Sequence, residues 1–173
     1  MYPVIGMSKV YISSDFHLGH KNIAKYRSVF KSAADHDAYI FDLLSKLTKH
    51  DKLIVLGDFL FHGDHMDDYL NKLSKVPAHI ELVLGNHDCL TLPYRLPANM
   101  SMRLPLSMYK SFWLSHCPIH PHELRDRLGC IHGHLHNETL NDPHYFNANL
   151  DVNDYQLVDF AVIKYYFKDL TNE

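Results

Sequence analysis

The sequence lacks several features that would assign it at once to a broad class of proteins. No apolar run approaches the length that spans a membrane, and the first seven residues do not combine a basic region with an apolar core. No basic block extends beyond a few positions, and the formal net charge is -3. Because long nucleic acids are held by basic surfaces, we expect no stable nucleic-acid complex. We also expect no membrane partner and a cytoplasmic location.

Cysteine is scarce as well. The chain has three cysteines, an odd number, and none of them form a C-x-x-C pair: Cys89, Cys117 and Cys130. This pattern indicates neither a disulfide framework nor a thiolate zinc site. We interpret all three as small buried side chains in a reducing compartment.

Histidine, in contrast, is abundant. The 173 residues include 15 histidines, scattered rather than consecutive, and 46% of the chain is hydrophobic. That length and apolar content predict one domain with a substantial core, over residues 1–173. Because neutral imidazole is the commonest metal ligand, the histidines suggest a metal site, and metal ions would supply positive charge for a small anionic substrate.

The first half of the chain predicts three strands separated by two helices. Short apolar runs indicate strands over residues 10–14, 53–56 and 80–84. Apolar residues at helical spacing indicate one helix over 36–49, capped by Asp35, and another from Asp64 or His65 to Leu73. This alternation favours an α/β fold with parallel strands joined by right-handed crossovers.

The second half follows a different pattern. We expect a hairpin within residues 103–115 that turns near 109–111, and a short helix over 121–128. Further strands are expected over 130–132 and 145–150, and a closing helix over 158–170 after Asp159. Two prolines within residues 90–101 predict an irregular loop there.

Polar side chains that can bind metals occur at five predicted strand ends. They are Asp15 and His17, then Asp58, then Asn86, His87 and Asp88, then His116, and finally His134 and His136. Ligands of open parallel sheets bind outside the carboxyl ends of the strands, so these clusters are expected to converge. Five clusters together are a far more specific signal than any one of them.

The donor types agree with a metal centre. Carboxylates, imidazoles and one amide oxygen, without thiolates, suit first-row ions such as Mn, Fe, Zn, Co or Ni. Two ions held about 3.5–4 Å apart require a shared ligand, which an Asp carboxylate can provide.

In their order and spacing, the five motifs from residue 15 to residue 136 resemble the calcineurin-like metallophosphoesterase superfamily. Residues 14–23 and 116–121 are similar to small, single-domain members from bacteria and phages. The resemblance implies an α/β fold, a four-layer α/β/β/α sandwich of two mixed sheets flanked by helices.

The resemblance also implies a role for each motif residue. One metal ion, Mn being the most expected, would be bound by Asp15, His17 and His136, and a second by Asn86, His116 and His134, with Asp58 shared by both. A hydroxide between the ions would attack phosphorus, and His87 would donate a proton to the leaving oxygen. We add the hypothesis that Asp88 orients His87. We also predict that metal removal lowers both activity and thermal stability, because the neighbouring carboxylates repel each other.

Several alternatives remain open at this point. His20, His62 and His120 are candidates for substrate contacts, although each is equally suited to a structural role. Arg27 and Arg103 are candidate phosphate contacts or ordinary surface charges. The favoured activity is phosphodiester hydrolysis of a small phosphate ester, such as a nucleotide. The alternatives are a phosphomonoesterase acting on nucleotides and a catalytically silent metal-binding scaffold. The sequence leaves the oligomeric state open.

Overall fold

The computed structural model of the chain describes residues 8–61, 63, 65–88 and 92–171. It contains two mixed β-sheets. The strands are β1 (Val10–Ser13), β2 (Lys52–Leu56), β3 (His79–Val83), β4 (Met100–Met102), β5 (Leu106–Tyr109), β6 (Phe112–Ser115), β7 (Gly129–His132), β8 (Tyr145–Asn147) and β9 (Val158–Asp159). The α-helices are α1 (Ile23–Tyr26), α2 (Ala33–Ser45), α3 (Met66–Leu73) and α4 (Phe160–Tyr166).

The first sheet has the order β4-β3-β2-β1-β9, in which β1 to β4 are parallel and β9 is antiparallel to β1. The second sheet has the order β5-β6-β7-β8, in which β5 and β6 form an antiparallel hairpin and the other pairs are parallel. The predicted parallel core of the first half and the predicted hairpin are therefore confirmed. Two mixed sheets with flanking helices are also the architecture that the motif resemblance implied.

Strand β2 shows how one segment holds two cores together. Its side chains alternate in direction, as the twofold period of a strand requires. Leu53 and Val55 pack in the core that includes residues of α2 and α3, whereas Ile54 and Leu56 pack in the core between the two sheets. Because the strand is buried on both faces, its sequence is a nearly continuous apolar run rather than an alternating one.

In the described structure, the outer face of the second sheet is not covered by long helices like those that cover the first sheet. Cys130 and Tyr145 form a small core there with Leu124, next to a single 3-10 turn, Pro121–Glu123. The predicted helix over 121–128 is therefore wrong. Most of that segment is turn rather than helix, and Arg125 adopts φ = 53°, which an α-helix cannot contain.

Element boundaries differ from the predictions in three further places. Helix α2 starts earlier than predicted, because Ser32 rather than Asp35 caps it: the Ser32 hydroxyl accepts a hydrogen bond from the Asp35 amide at 3.1 Å. Helix α3 begins after His65, while Asp64 lies outside the described residues. The closing helix follows Asp159 as predicted, with Asp159 as its cap, but Val158–Asp159 form β9, and the helix is shorter and is followed by a 3-10 turn.

The sequence patterns did not predict two short elements, and they placed the end of a third too late. Strand β4 ends the region predicted as a loop, and α1 has only four residues. The strand predicted over 145–150 stops at Asn147, and a 3-10 turn follows over Leu150–Val152. Among the described helices, none has the length and hydropathy needed to cross a lipid bilayer.

Candidate metal centre and substrate cleft

The predicted ligands meet where the parallel strands of the two sheets end. Asp15 and His17 follow β1, Asp58 follows β2, and Asn86 follows β3. On the facing sheet, His116 follows β6, and His134 and His136 follow β7. The structure therefore brings together all seven residues predicted as metal ligands, as contacts between the clusters show.

Five of these seven residues have a left-handed backbone conformation. The φ angles are 58° for Asp15, 50° for His17, 51° for Asp58, 69° for His134 and 51° for His136. Such angles are uncommon for residues other than glycine, and they cluster at functional sites, where the surrounding structure enforces them. Here they turn each side chain back towards the same point after its strand ends.

The first cluster consists of Asp15, His17 and His136. One potential ligand atom of each lies within 4.8 Å of the others. The Nε2 atom of His17 is 3.8 Å from Asp15 Oδ1. Within the described part of the chain, both atoms are buried and have no hydrogen-bond partner. Since buried polar atoms are almost always paired, two such atoms facing each other fit a bound cation.

The second cluster consists of Asn86, His116 and His134. The Nδ1 atom of His116 is 2.8 Å from the Leu56 carbonyl oxygen, which only accepts, so Nδ1 carries the hydrogen. In the neutral ring the Nε2 atom then presents a lone pair, 2.8 Å from Asn86 Oδ1 and 3.2 Å from His134 Nδ1. Two lone-pair atoms that approach this closely also fit a shared cation.

Asp58 lies between the two clusters. Its Oδ1 atom accepts a hydrogen bond from the His87 amide at 2.8 Å. Its Oδ2 atom is 3.8 Å from His17 Nε2 in the first cluster and 3.5 Å from His116 Nε2 in the second. This is the position that a ligand shared by two ions requires.

Two glycines allow this close approach. Gly57 has φ = 86°, and a side chain there would collide with the His116 ring. A Cβ atom on Gly85 would overlap the Asp58 carboxylate and its amide nitrogen. The motif glycines are thus explained by contact distances at the candidate metal site as well as by turn conformation.

Burial changes the protonation of the first cluster. Burial, followed by the charge of Arg27, lowers the pKa of His17 to about 2, so its imidazole is neutral near neutral pH. Burial also raises the pKa of Asp15, although the His134 amide donates a hydrogen bond to its carboxylate at 2.9 Å and opposes that shift. A neutral imidazole beside a carboxylate that is costly to ionise is a good metal site, because a cation favours the ionised carboxylate.

Asp88 has a different role from the one we hypothesised. Its carboxylate accepts four backbone hydrogen bonds, at 2.8–3.0 Å, from the amides of Asp58, Phe59, Leu60 and Gly85. These bonds point the carboxylate at the turn that carries Asp58, and they occupy it there. The hypothesis that Asp88 orients the His87 ring is therefore corrected: Asp88 holds the Asp58 and Gly85 turns together.

A cleft of about 560 Å³ opens beside the first cluster. His87 lies on its wall, with its ring 5.6 Å from the ring of His17 and stacked on Phe61 at 5.7 Å. The other lining residues are His17, His20, Ile23, Tyr26, Arg27, His136, Asn137, Asp151 and Tyr155. An exposed imidazole beside the ligands is well placed for proton transfer to a bound ester.

The three candidate substrate histidines separate in the structure. His20 lines the cleft, and its ring packs against Phe61 at 4.4 Å. His120 is not among the lining residues: its ring nitrogen accepts a hydrogen bond from the His122 amide and caps the 3-10 turn, which is a structural role. His62 lies outside the described residues, as does Cys89.

Sequence reasoning missed part of the site. Arg27 is neither a surface charge nor free to bind phosphate, since it is 2% exposed and paired with Asp151. Asp151 follows β8, so the rule that located the other motifs, polar residues after a strand, would have located it too. Cys117, interpreted as buried, is exposed, and its sulfur groups with ligand atoms of His116 and His134. The aromatic residues Tyr26 and Tyr155 gave no signal, because only tertiary packing brings them to the cleft.

Comparisons with known proteins agree with this geometry. A family model described as calcineurin-like phosphoesterase matches residues 8–170. The Gene 66 protein of Mycobacterium phage D29 is 30% identical over 84% of this chain and 89% of its own length. An uncharacterized protein of Methanocaldococcus jannaschii is 27% identical over 83% of this chain and 78% of its own length. The crystal structure of a protein of unknown function from Aquifex aeolicus superposes with a TM-score of 0.70, at 24% identity, over 91% of this chain and 98% of that one.

Proposed function

Because the chain belongs to the calcineurin-like phosphoesterase family, whose members are metal-dependent, we propose that it hydrolyses small phosphodiesters with two metal ions. The observation that carries this proposal is the position of Asp58, whose Oδ2 atom faces a histidine nitrogen of each cluster at 3.8 and 3.5 Å. A single ion would leave one of the two clusters of unpaired ligand atoms without a partner.

In this proposal each cluster holds one ion. Asp15, His17 and His136 would hold the first, Asn86, His116 and His134 the second, and Asp58 would be bound to both. Manganese is our preferred ion, since the donors are mainly oxygen and imidazole nitrogen, and Fe, Zn, Co or Ni also suit them. When bound, the ions would supply Lewis-acid polarisation of the phosphoryl group and a water of lowered pKa.

The protein's own groups complete the reaction. His87 is exposed on the cleft wall and would donate its proton to the leaving oxygen of the ester. The His87 amide donates a hydrogen bond to the Asp58 carboxylate, so the turn that carries the proton donor also orients the shared ligand. That coupling keeps the turn of the proton donor at a fixed distance from the shared ligand.

The cleft favours a diester over a monoester. Arg27 is the one lysine or arginine among its described lining residues, and Asp151 neutralises it. A phosphomonoester carries about two negative charges near neutral pH, whereas a diester carries one, so the diester needs less compensating charge. Ile23, Tyr26 and Tyr155 supply apolar and aromatic surface for the organic groups on either side of phosphorus.

The test compares turnover of bis-p-nitrophenyl phosphate with that of p-nitrophenyl phosphate in the presence of manganese. The inactive control is Asp58→Asn, which keeps the shape of the shared ligand and removes its charge. The matched control is Asp126→Asn, because the Asp126 side chain is 79% exposed. We expect diester cleavage by the native protein and by the Asp126 variant, and none by the Asp58 variant.

Other outcomes would point elsewhere. Cleavage of the monoester alone would overturn the diester proposal and favour a phosphomonoesterase that acts on nucleotides. Metal uptake without cleavage of either ester would overturn the enzymatic proposal and favour a metal-binding scaffold.

A further inference from the structure

A buried ion pair lies directly behind the first cluster. The Arg27 Nε atom donates to Asp151 Oδ1 at 2.7 Å, and Arg27 Nη2 donates to Asp151 Oδ2 at 3.0 Å. The Arg27 side chain is 2% exposed and that of Asp151 is 11% exposed. This is the two-pronged geometry in which guanidinium and carboxylate bind most strongly.

Each partner of the pair also contacts the first cluster. Asp151 Oδ2 accepts a hydrogen bond at 2.8 Å from His136 Nδ1, which directs the other ring nitrogen away from Asp151. Arg27 Nη2 donates to the Asp15 carbonyl oxygen at 2.6 Å, and Arg27 Nη1 to that of Phe16 at 3.4 Å. One ion pair thus connects the backbone that carries Asp15 and His17 with the ring of His136.

Arg27 has no donor left for a substrate. A guanidinium has five N–H groups. Those of Arg27 are directed to two Asp151 oxygens, to the carbonyl oxygens of Asp15 and Phe16, and to His36 Nε2 at 3.0 Å. Although Arg27 lines the cleft, binding phosphate would require it to break one of these bonds. Arg27 therefore supports the first cluster and does not bind the ester.

The far side of Arg27 is fixed as well. Arg27 only donates, so His36 accepts through Nε2 and carries its hydrogen on Nδ1, which donates to Asp37 Oδ1 at 2.9 Å. The other Asp37 oxygen accepts from the Tyr69 hydroxyl at 2.5 Å. Helices α2 and α3 thereby fix the guanidinium, and the isolated bridge between Ser14 and Asn149 brings the Asp151 turn alongside the Asp15 loop.

We propose that Asp151 and Arg27 are positioning residues that build the first metal site, an inference that rests on the two-metal function proposed above. Asp151 fixes the ring orientation and tautomer of His136, and Arg27 fixes the separation between His136 and the loop of Asp15 and His17. A carboxylate behind a ligating histidine strengthens a metal site, and its loss typically weakens metal affinity about 10–100-fold. A buried ion pair is weak evidence of stability, so positioning is the better explanation for this one.

The experiment measures manganese binding by titration calorimetry in the native protein and in two variants. Asp151→Asn removes the charge that holds His136 and Arg27. Asp154→Asn is the matched control, because Asp154 is exposed in the same turn and asparagine tolerates its φ of 51°. We expect Asp151→Asn to weaken one of two binding steps about 10–100-fold and to leave the other unchanged, whereas Asp154→Asn leaves both unchanged.

Two further variants separate positioning from simple stabilisation. Asp151→Glu keeps a carboxylate near Arg27 and moves it relative to His136, so it should weaken the same step even if Asp151→Asn does not fold. In a His136→Ala background, Asp151→Asn should have little further effect on manganese affinity, because the two residues act as one unit. Native binding of both ions by folded Asp151→Asn, or full additivity in this cycle, would overturn the proposal.

The result is independent of turnover. If the native protein binds two ions and cleaves no ester, the proposed function fails while the affinity comparison still tests the positioning role. If the native protein cleaves esters and the Asp151 variants bind both ions normally, the positioning role fails and the function stands.

Discussion

The two clusters of candidate metal ligands are built in different ways. In the first cluster, Asp15 and His17 are buried, and each has a polar atom without a hydrogen-bond partner in the described structure. In the second, Asn86 is exposed, and its oxygen lies at hydrogen-bond distance from His116 and His134. The unpaired atoms of the first cluster are buried and depend on a cation to satisfy them, whereas solvent reaches the second cluster at Asn86.

The groups that hold the two clusters in place also differ: one is a pair of side chains and the other is a backbone carbonyl. A buried ion pair, Arg27 with Asp151, holds the first cluster. A backbone carbonyl, that of Leu56, holds His116 in the second. A side-chain support can be removed by substitution without breaking a strand, so the two clusters should respond differently to mutation and to metal.

The largest effect should come from a change that damages both clusters at once. Gly85→Ala places a methyl group against the Asp58 carboxylate, the group common to both. Overpacking of this kind costs about 1–3 kcal/mol, or roughly 2–12 °C in melting temperature for a domain of this size. We expect the loss of both manganese-binding steps and of turnover, measured by calorimetry and by the ester assay.

Gly63→Ala is the matched control for this substitution, because a methyl group on Gly63 would meet no atom within 4 Å. It should keep native metal binding and melting temperature. If Gly85→Ala weakened only one binding step, Asp58 would not be shared. The description of two clusters joined by one carboxylate would then be wrong.

A smaller effect should show how much each cluster contributes to the stabilisation of the fold by manganese. An ion present at about 100 times its dissociation constant stabilises the folded state by about 2.7 kcal/mol. This corresponds to a rise of roughly 5–11 °C in melting temperature, which a chelator should abolish. Because the first cluster contains the unpaired buried atoms, His17→Asn should reduce the manganese-induced rise more than His134→Asn does. Equal reductions, measured by thermal scans with and without chelator, would contradict the contrast.

The candidate ligands of both clusters could be predicted from sequence. The reason is that ligands end strands: a run such as Leu53 to Leu56 that stops at Gly57 and Asp58 marks both a buried strand and the turn after it. Parallel strands bring such ends to one edge, so local patterns were enough to predict a long-range cluster.

The strand-end rule reaches Asp151, but the contacts that make Asp151, Arg27 and Asp88 supports could not be predicted in the same way. Arg27 follows a helix of four residues, too short to show a period, and its partner Asp151 lies 124 positions later in the sequence. Asp88 stands beside His87 in sequence, which suggested that it orients that ring, yet three of its four hydrogen bonds run to the backbone of another turn. Adjacency in sequence is thus a poor guide where the chain turns sharply, because neighbouring side chains diverge there.

The smallest effect concerns acid stability and lies within the first cluster. Burial and the charge of Arg27 lower the pKa of His17 from 6.5 to about 2 in the folded chain. Between these values the unfolded chain binds a proton at this position and the folded chain does not, so stability falls as the pH falls below about 6.5, by about 1.4 kcal/mol per pH unit. His136 acts in the opposite direction, because its hydrogen bond to Asp151 raises its pKa and so adds stability at low pH.

Urea unfolding of the chelated protein between about pH 6.5 and about pH 5 should therefore show a shallower loss of stability for His17→Asn than for the native chain. An identical slope in the two proteins would mean that His17 is not held neutral and that the first cluster is more open to solvent than its burial indicates.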